Sequence, residues 1–442
     1  MIQRPDCYDI AIIGGGLAGL SAAVAIGADS EARVVLIDKD VGHNNPTPIT
    51  FSDVVQRFGL EDSVVSRYGG FSVHSSLGSQ CLHCYSDFPL VSLDYRWACY
   101  ILLTRAQQSL GFTWRRGYAT GLAKDREGWI ISVDSRQRIR APLLIDASGS
   151  AHFTARCLHL ARPRTYSHRY GQFFTGCRVA NHELAEDVCL FLGGSERFGN
   201  GGGWCYPLGA GRISFGFASV TGSSRYPLRL VRQRYQNALQ ELAPYADVLA
   251  RGKPGPVERG SIPLGPVRRF VYDGLMLVGD AAGQATPWAC MGSESALING
   301  QTCGRVAAKA FKQGDLRAKV LREYETVWAQ ANRRSYHRGI MLAPLQWTHS
   351  EEVWDKITAS YSRFTPEEAL AHLRYNEPIY SLPILGRSIF CDRLGRIGQG
   401  IRDWVQQHLR ILQKKAMARL LRGLMAGERF FLLISNRFLT FF

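Results

Sequence analysis

Three glycines and one carboxylate near the N-terminus have the types and spacing to hold an anionic nucleotide. Gly14, Gly16 and Gly19 fit G-x-G-x-x-G, and Asp38 follows about 20 residues later. Gly14 allows a tight turn, Gly16 lets the backbone approach a pyrophosphate, and Gly19 lets a helix pack close on a strand. The helix N-terminus adds unpaired N–H groups and the positive end of its dipole. Asp38 is placed to accept hydrogen bonds from a ribose. Two further carboxylates end apolar runs: Asp146 in Leu143-Leu-Ile-Asp-Ala-Ser-Gly149, and Asp280 in Leu275-Met-Leu-Val-Gly-Asp-Ala-Ala-Gly283. Pro287 and Gly292 follow the second. Such strand ends suit a ligand at the carboxyl edge of a parallel sheet. Cys81-Leu-His-Cys84 is a C-x-x-C, but no second pair follows at zinc spacing. Ordinary strand cysteines and no metal site are expected there.

The elements that must position these groups show as hydrophobic texture. Residues 10–13 and 34–37 are apolar runs of buried parallel-strand type, joined by an Ala/Leu-rich helix reaching about Ala28. Residues 51–65 and 93–110 have helical periodicity, and residues 112–145 break into short strands. From about His159 to Val257 the pattern becomes that of an antiparallel sheet, with Gly199 to Gly203 as a hairpin connection and a helix or helix pair over 227–250. Residues 293–313 form a helix whose Ala296, Gly300, Gly304 and Ala307 share one face for close packing. The expected class is α/β: a Rossmann-like dinucleotide domain, an inserted antiparallel sheet and a helical C-terminal region. The boundaries are residues 1–160 (with a substrate-side insertion about 66–92) and 259–323 for the cofactor domain. Residues 161–258 form the sheet domain, and 324–442 a basic helical region.

Length and charge bound the partners. The 442 residues are 46% hydrophobic and 11% aromatic, which suits a folded chain of two or three domains. The 11 cysteines are irregularly spaced and no signal peptide is evident, so reduced thiols in a cytoplasmic setting are expected. The formal charge of +16 calls for an anionic partner. No nucleic-acid-binding signature accompanies it. The charge concentrates in residues 387–442, where Arg and Lys alternate with Leu and the chain ends Phe438-Leu-Thr-Phe-Phe442. That tail suits contact with an anionic membrane on its inner face, or a helical cap whose charges are solvated.

Taken together, Gly14 to Asp38, Asp146 to Gly149 and Gly279 to Gly292 resemble the FAD-binding superfamily of aromatic hydroxylases, flavin halogenases, lycopene cyclases and geranylgeranyl reductases. The resemblance implies FAD, held by Gly14, Gly16, Leu17, Ala18, Gly19, Asp38, Lys39, Arg96, Ala147, Gly149, Gly279, Asp280, Gly283, Pro287, Gly292 and Ser293. Asp280 would meet the ribityl chain, and the backbone N–H groups near Gly292 the pyrimidine edge. Gly203-Trp-Cys-Tyr-Pro207, with the strand after it, is similar to the geranylgeranyl reductases. By that likeness Trp204, Tyr206, Phe215 and Phe217 line an apolar substrate pocket. The cyclases carry adjacent carboxylates on the latter strand; here it reads Ser214-Phe-Gly-Phe-Ala-Ser219.

The expected activity is reduction of carbon–carbon double bonds in an isoprenoid or similarly apolar substrate by hydride transfer from flavin N5. His43, Tyr206, Cys290 and Glu294 are the candidate proton donors. NAD(P)H or ferredoxin would supply electrons, and the sequence selects neither. The alternatives are a flavin-dependent monooxygenase and a redox-neutral isoprenoid cyclase on the same scaffold.

Overall fold

The computed structural model describes residues 5–43, 48–135, 137–177, 188–192, 202–222, 225, 227–241, 249–287, 289–347 and 351–375. The basic tail and the Asn44-Asn45 loop lie outside these residues, as does most of the Gly199 to Gly203 connection.

A six-stranded sheet carries the cofactor half. Its order is Val271–Tyr272, Leu275–Leu277, Leu143–Asp146, Ile10–Ile13, Val34–Ile37 and Phe112–Arg115, parallel except for the first strand. Strands buried on both faces need continuous apolar runs, and these supply them. All the parallel strands run the same way, so the turns after Ile13, Ile37, Asp146 and Leu277 meet at one edge. Two helices, Leu17–Asp29 and Ser293–Gln313, pack against each other through small residues. A β-carbon on Gly300 would overlap the Ala18 carbonyl oxygen, and one on Gly304 that of Ala22.

A seven-stranded sheet forms the second layer, ordered Lys253–Leu264, Thr165–Thr175, Ile213–Thr221, Gly203–Pro207, Val188–Leu192, Gly70–His74 and Gln80–Cys84. The 66–92 insertion therefore joins this sheet, its Gly70–His74 strand running parallel to Val188–Leu192. The expected boundary after residue 258 falls inside the Lys253–Leu264 strand, which pairs along its length with Thr165–Thr175. The strand ends at Leu264, where Gly265-Pro266 follows, six residues beyond that boundary.

The expected pocket role of Phe215 and Phe217 is corrected here. Register pairs Phe215 with Cys205 and Ser214 with Tyr206. Side chains alternate across a strand, so Trp204 and Tyr206 share one face with Ser214 and Gly216. Phe215 and Phe217 point to the other face, fully buried with Phe174, Cys205 and Tyr235. The Leu228–Glu241 helix supplies Tyr235, whose ring centroid lies 5.9 Å from that of Phe215. Phe215→Ala is expected to cost about 3–5 kcal/mol through the cavity it leaves. Chemical denaturation measures this, and FAD affinity at a permissive temperature should stay near the parent's.

Beyond residue 323 the described chain is helical: Glu323–Trp347, Glu351–Tyr361 and Pro366–Tyr375. Asp355 accepts hydrogen bonds from Ser75 Oγ (2.5 Å) and Ser79 N (3.1 Å), and Tyr85 Oη donates to the Pro366 carbonyl at 2.6 Å. These bonds tie the last two helices to the sheet edge. No helix among the described residues is long and apolar enough to cross a membrane.

Candidate active site

One cavity of about 700 Å³ runs between the two layers. Its cofactor end is built from the turns at the edge of the parallel sheet. Gly14 takes φ +109°, and a β-carbon there would overlap the Ala147 carbonyl oxygen. A β-carbon on Gly16 would stand 2.8 Å from Tyr95 Oη, and one on Gly19 would overlap the Gly14 carbonyl oxygen. Each glycine thus has a local steric reason. Asp38 accepts from Gly15 N at 2.6 Å and from Asp40 N at 2.9 Å, which braces the turn. Asp146 is buried and accepts from Ser148 N and Thr154 N, both at 2.9 Å, so it organises the loop carrying Ala147 and Gly149.

Gly14, Gly16, Leu17, Ala18, Asp38, Lys39, Ala147, Gly149, Asp280, Gly292 and Ser293 all line the cavity. Gly19, Gly279, Gly283 and Pro287 are not among the lining residues. Gly279 and Gly283 have φ +64° and +72°, and a β-carbon on Gly283 would overlap the Gly265 carbonyl oxygen. They shape the turn that presents Asp280. Arg96 lies outside the lining, with Nη2 3.3 Å from Asp40 Oδ1 on the exposed surface. A β-carbon on Gly292 would stand 3.6 Å from Asp280 Oδ1, so this carboxylate adjoins the N-terminus of the Ser293–Gln313 helix. Burial pushes the Asp280 carboxyl up to about 6, and the positive charge of Arg169 offsets part of that effect.

The other end is aromatic. The Trp204 indole lies across Gly171 and Gly216, where any β-carbon would overlap or crowd it, and its Nε1 donates to Ser214 Oγ at 3.0 Å. Tyr206 meets Phe191 edge-on, with centroids 5.8 Å apart. Burial pushes its phenol well above the usual range. Phe71 from the insertion completes this wall, with Trp354, Tyr361 and Leu373 from the C-terminal helices. These four are functional candidates that sequence reasoning missed. Trp354 and Tyr361 carried only an ordinary amphipathic signal, which fits any packed helix.

The four proton-donor candidates separate. Cys290, at φ +52°, lines the cavity, and burial pushes its thiol up to about 11, with the Ser167 side chain opposing the shift. Tyr206 also lines it. His43 sits exposed at the rim, a ring nitrogen 3.1 Å from the Asp40 carbonyl. Glu294 is not in the lining. It accepts from Arg374 Nε at 2.9 Å and Nη2 at 2.6 Å, so the carboxylate is committed to an ion pair.

This donor set fits FAD. A turn without side chains, two helix N-termini opening on one cavity, and the carboxylates of Asp38 and Asp280 match a pyrophosphate, a ribose and a polyol. The parallel sheet, the second sheet and the shared cavity form a two-layer architecture around this donor set.

Comparison with known proteins narrows this. A family profile described as lycopene cyclase protein matches residues 9–192. Digeranylgeranylglycerophospholipid reductase 2 of Methanopyrus kandleri is 32% identical over 160 residues, 35% of this chain and 40% of the relative. The corresponding reductase of Methanocaldococcus jannaschii is 24% identical over 345 residues, covering 75% of this chain and 84% of the relative. A geranylgeranyl bacteriochlorophyll reductase-like structure from Thermoplasma acidophilum superposes with TM-score 0.73 at 19% identity. It covers 86% of this chain and all of that one. A flavin-dependent brominase variant follows the same fold, with TM-score 0.67 at 17% identity over 86% of this chain and 98% of its own. The chain spans only 40% and 56% of the first two curated relatives. In sequence the chain is similar to these digeranylgeranylglycerophospholipid reductases, and in fold to the geranylgeranyl bacteriochlorophyll reductase-like structure.

Proposed function

We propose that the protein reduces carbon–carbon double bonds of an isoprenoid lipid with FAD as its resident cofactor. The observation that carries this reading is the continuity of one cavity from the Gly14 turn and Asp280 to the aromatic wall of Trp204, Tyr206 and Phe71. Residues 1–160 and 259–323 supply the cofactor end, with Gly14, Gly16 and the helix N-terminus at Leu17 toward the pyrophosphate. Asp38 and Lys39 serve the adenosine side, and Asp280, Gly292 and Ser293 the flavin side. The sheet residues of 161–258, the 66–92 insertion and the helices after 324 enclose the apolar substrate. When bound and reduced, the flavin supplies a hydride equivalent.

The chain's own part is to exclude water, orient the alkene and deliver a proton. Cys290 is the favoured donor, because it lines the cavity beside Met291 and Gly292 and burial keeps its thiol protonated at neutral pH. NAD(P)H or ferredoxin is the expected class of reductant, and the basic tail the expected contact with anionic lipid. A second reading, redox-neutral cyclisation, draws on the profile match over 9–192 and on Glu258, a carboxylate in the cavity wall.

The test is anaerobic incubation of the FAD-loaded, dithionite-reduced protein with an unsaturated prenyl lipid. Mass spectrometry should show a gain of two hydrogens per double bond. A rearranged product of unchanged mass would select the cyclase, and incorporated oxygen under air would select the monooxygenase.

A further inference from the structure

Arg374 lies on the Pro366–Tyr375 helix, where Ala369, His372 and Leu373 line the cavity. Its own side chain reaches Glu294, the second residue of the Ser293–Gln313 helix, through two short hydrogen bonds to one oxygen. Nη2 also donates to Asp53 Oδ2 at 2.9 Å, and the guanidinium stacks over Phe51 at 4.4 Å. The two paired side chains are only 17% and 16% exposed, so solvent screens them weakly. Asp53 is 64% exposed and Arg57 adds a second positive charge near Glu294.

The position matters because Gly292 and Ser293, immediately before Glu294, form the cavity wall beside Asp280. The positive end of this helix faces the site where reduced flavin would carry its negative charge. An unpaired carboxylate at Glu294 would cancel much of that field and would add to the charge of Asp280. We propose that Arg374 is a positioning residue that neutralises Glu294 and thereby holds up the reduction potential of the bound FAD. The inference rests on the FAD reading above. It gives the C-terminal helix a second task, since one turn both walls the substrate end and balances charge at the flavin end.

Redox titration of the FAD-loaded full chain, followed by its visible spectrum, tests this. Arg374→Gln should weaken binding of reduced relative to oxidised cofactor about tenfold, which is about 30 mV more negative for a two-electron couple. Glu294→Gln should move the potential in the positive direction, and the double variant should return close to the parent. Arg374→Lys keeps the charge and should keep the potential. Flavin bound at an unchanged potential in both single variants would overturn the inference alone, leaving Arg374 as a helix anchor. Failure of the parent protein to take up FAD would overturn the cofactor reading, and this inference with it.

Discussion

Gly304→Leu is expected to cost on the order of 4–5 kcal/mol and to abolish FAD uptake. The Leu17–Asp29 and Ser293–Gln313 helices cross at backbone contact. A β-carbon at 304 would overlap the Ala22 carbonyl and stand 2.8 Å from the Ala25 β-carbon. Gly300 meets Ala18 in the same way, and Ser21 Oγ donates to the Leu297 carbonyl at 2.7 Å between them. The obstruction is mostly main chain, which cannot swing aside as a side chain does. One extra methyl in such a place costs about 1–3 kcal/mol, and leucine adds far more volume. Leucine is also a better helix former than glycine, so any loss must come from packing. The functional consequence follows from where the helices begin. Leu17 and Ser293 open on the two ends of the cofactor site, so this crossing sets the distance between the pyrophosphate and flavin ends. Urea denaturation and a flavin-fluorescence titration measure both effects, with the exposed Lys312→Leu as control. A variant within about 1 kcal/mol of the parent and still binding FAD would sink the argument.

That crossing was legible because Ala296, Gly300, Gly304 and Ala307 recur on one helical face. The glycine turn, the strand ending in Asp146 and the turn carrying Asp280 were legible for a similar reason: local backbone demands leave fixed residue types behind. Phe215 and Phe217 were misplaced because the Ile213–Thr221 strand is buried on both faces over most of its length. Burial on both sides removes the polar-out signal that tells a pocket face from a core face. The clue lay in size rather than polarity: Ser214 and Gly216 are small where the indole of Trp204 must lie flat. The remaining gaps are tertiary. Trp354 and Tyr361 line the cavity on a helix that Asp355 ties to Ser75 and Ser79 of a distant hairpin. Glu294 looked available as an acid because Arg374, 80 residues away, leaves no local pattern that announces the pair.

Asp280→Asn is expected to stabilise the cofactor-free protein at pH 8 while weakening its hold on FAD. Burial raises the Asp280 carboxyl from its ordinary 3.8 to about 6, against the opposing charge of Arg169. Between those two values the native state binds more protons than the unfolded chain, so stability falls as pH rises. Above about pH 6 the native protein carries the full penalty of an ionised carboxylate in the cavity wall, on the order of 3 kcal/mol. Asparagine has nearly the same shape and no charge, so the penalty disappears. The gain should therefore be largest at pH 7–8 and shrink toward zero near pH 4, where the parent's Asp280 is protonated as well. Thermal unfolding of apo-protein across that range reads the effect. With FAD present the order should reverse, because the polyol hydroxyls that the carboxylate would accept from meet a weaker partner in the amide. A residue retained against the stability of its own fold is the expected mark of a binding group. Equal destabilisation of apo and FAD-loaded forms at every pH would instead make Asp280 an ordinary support of the turn that follows Val278.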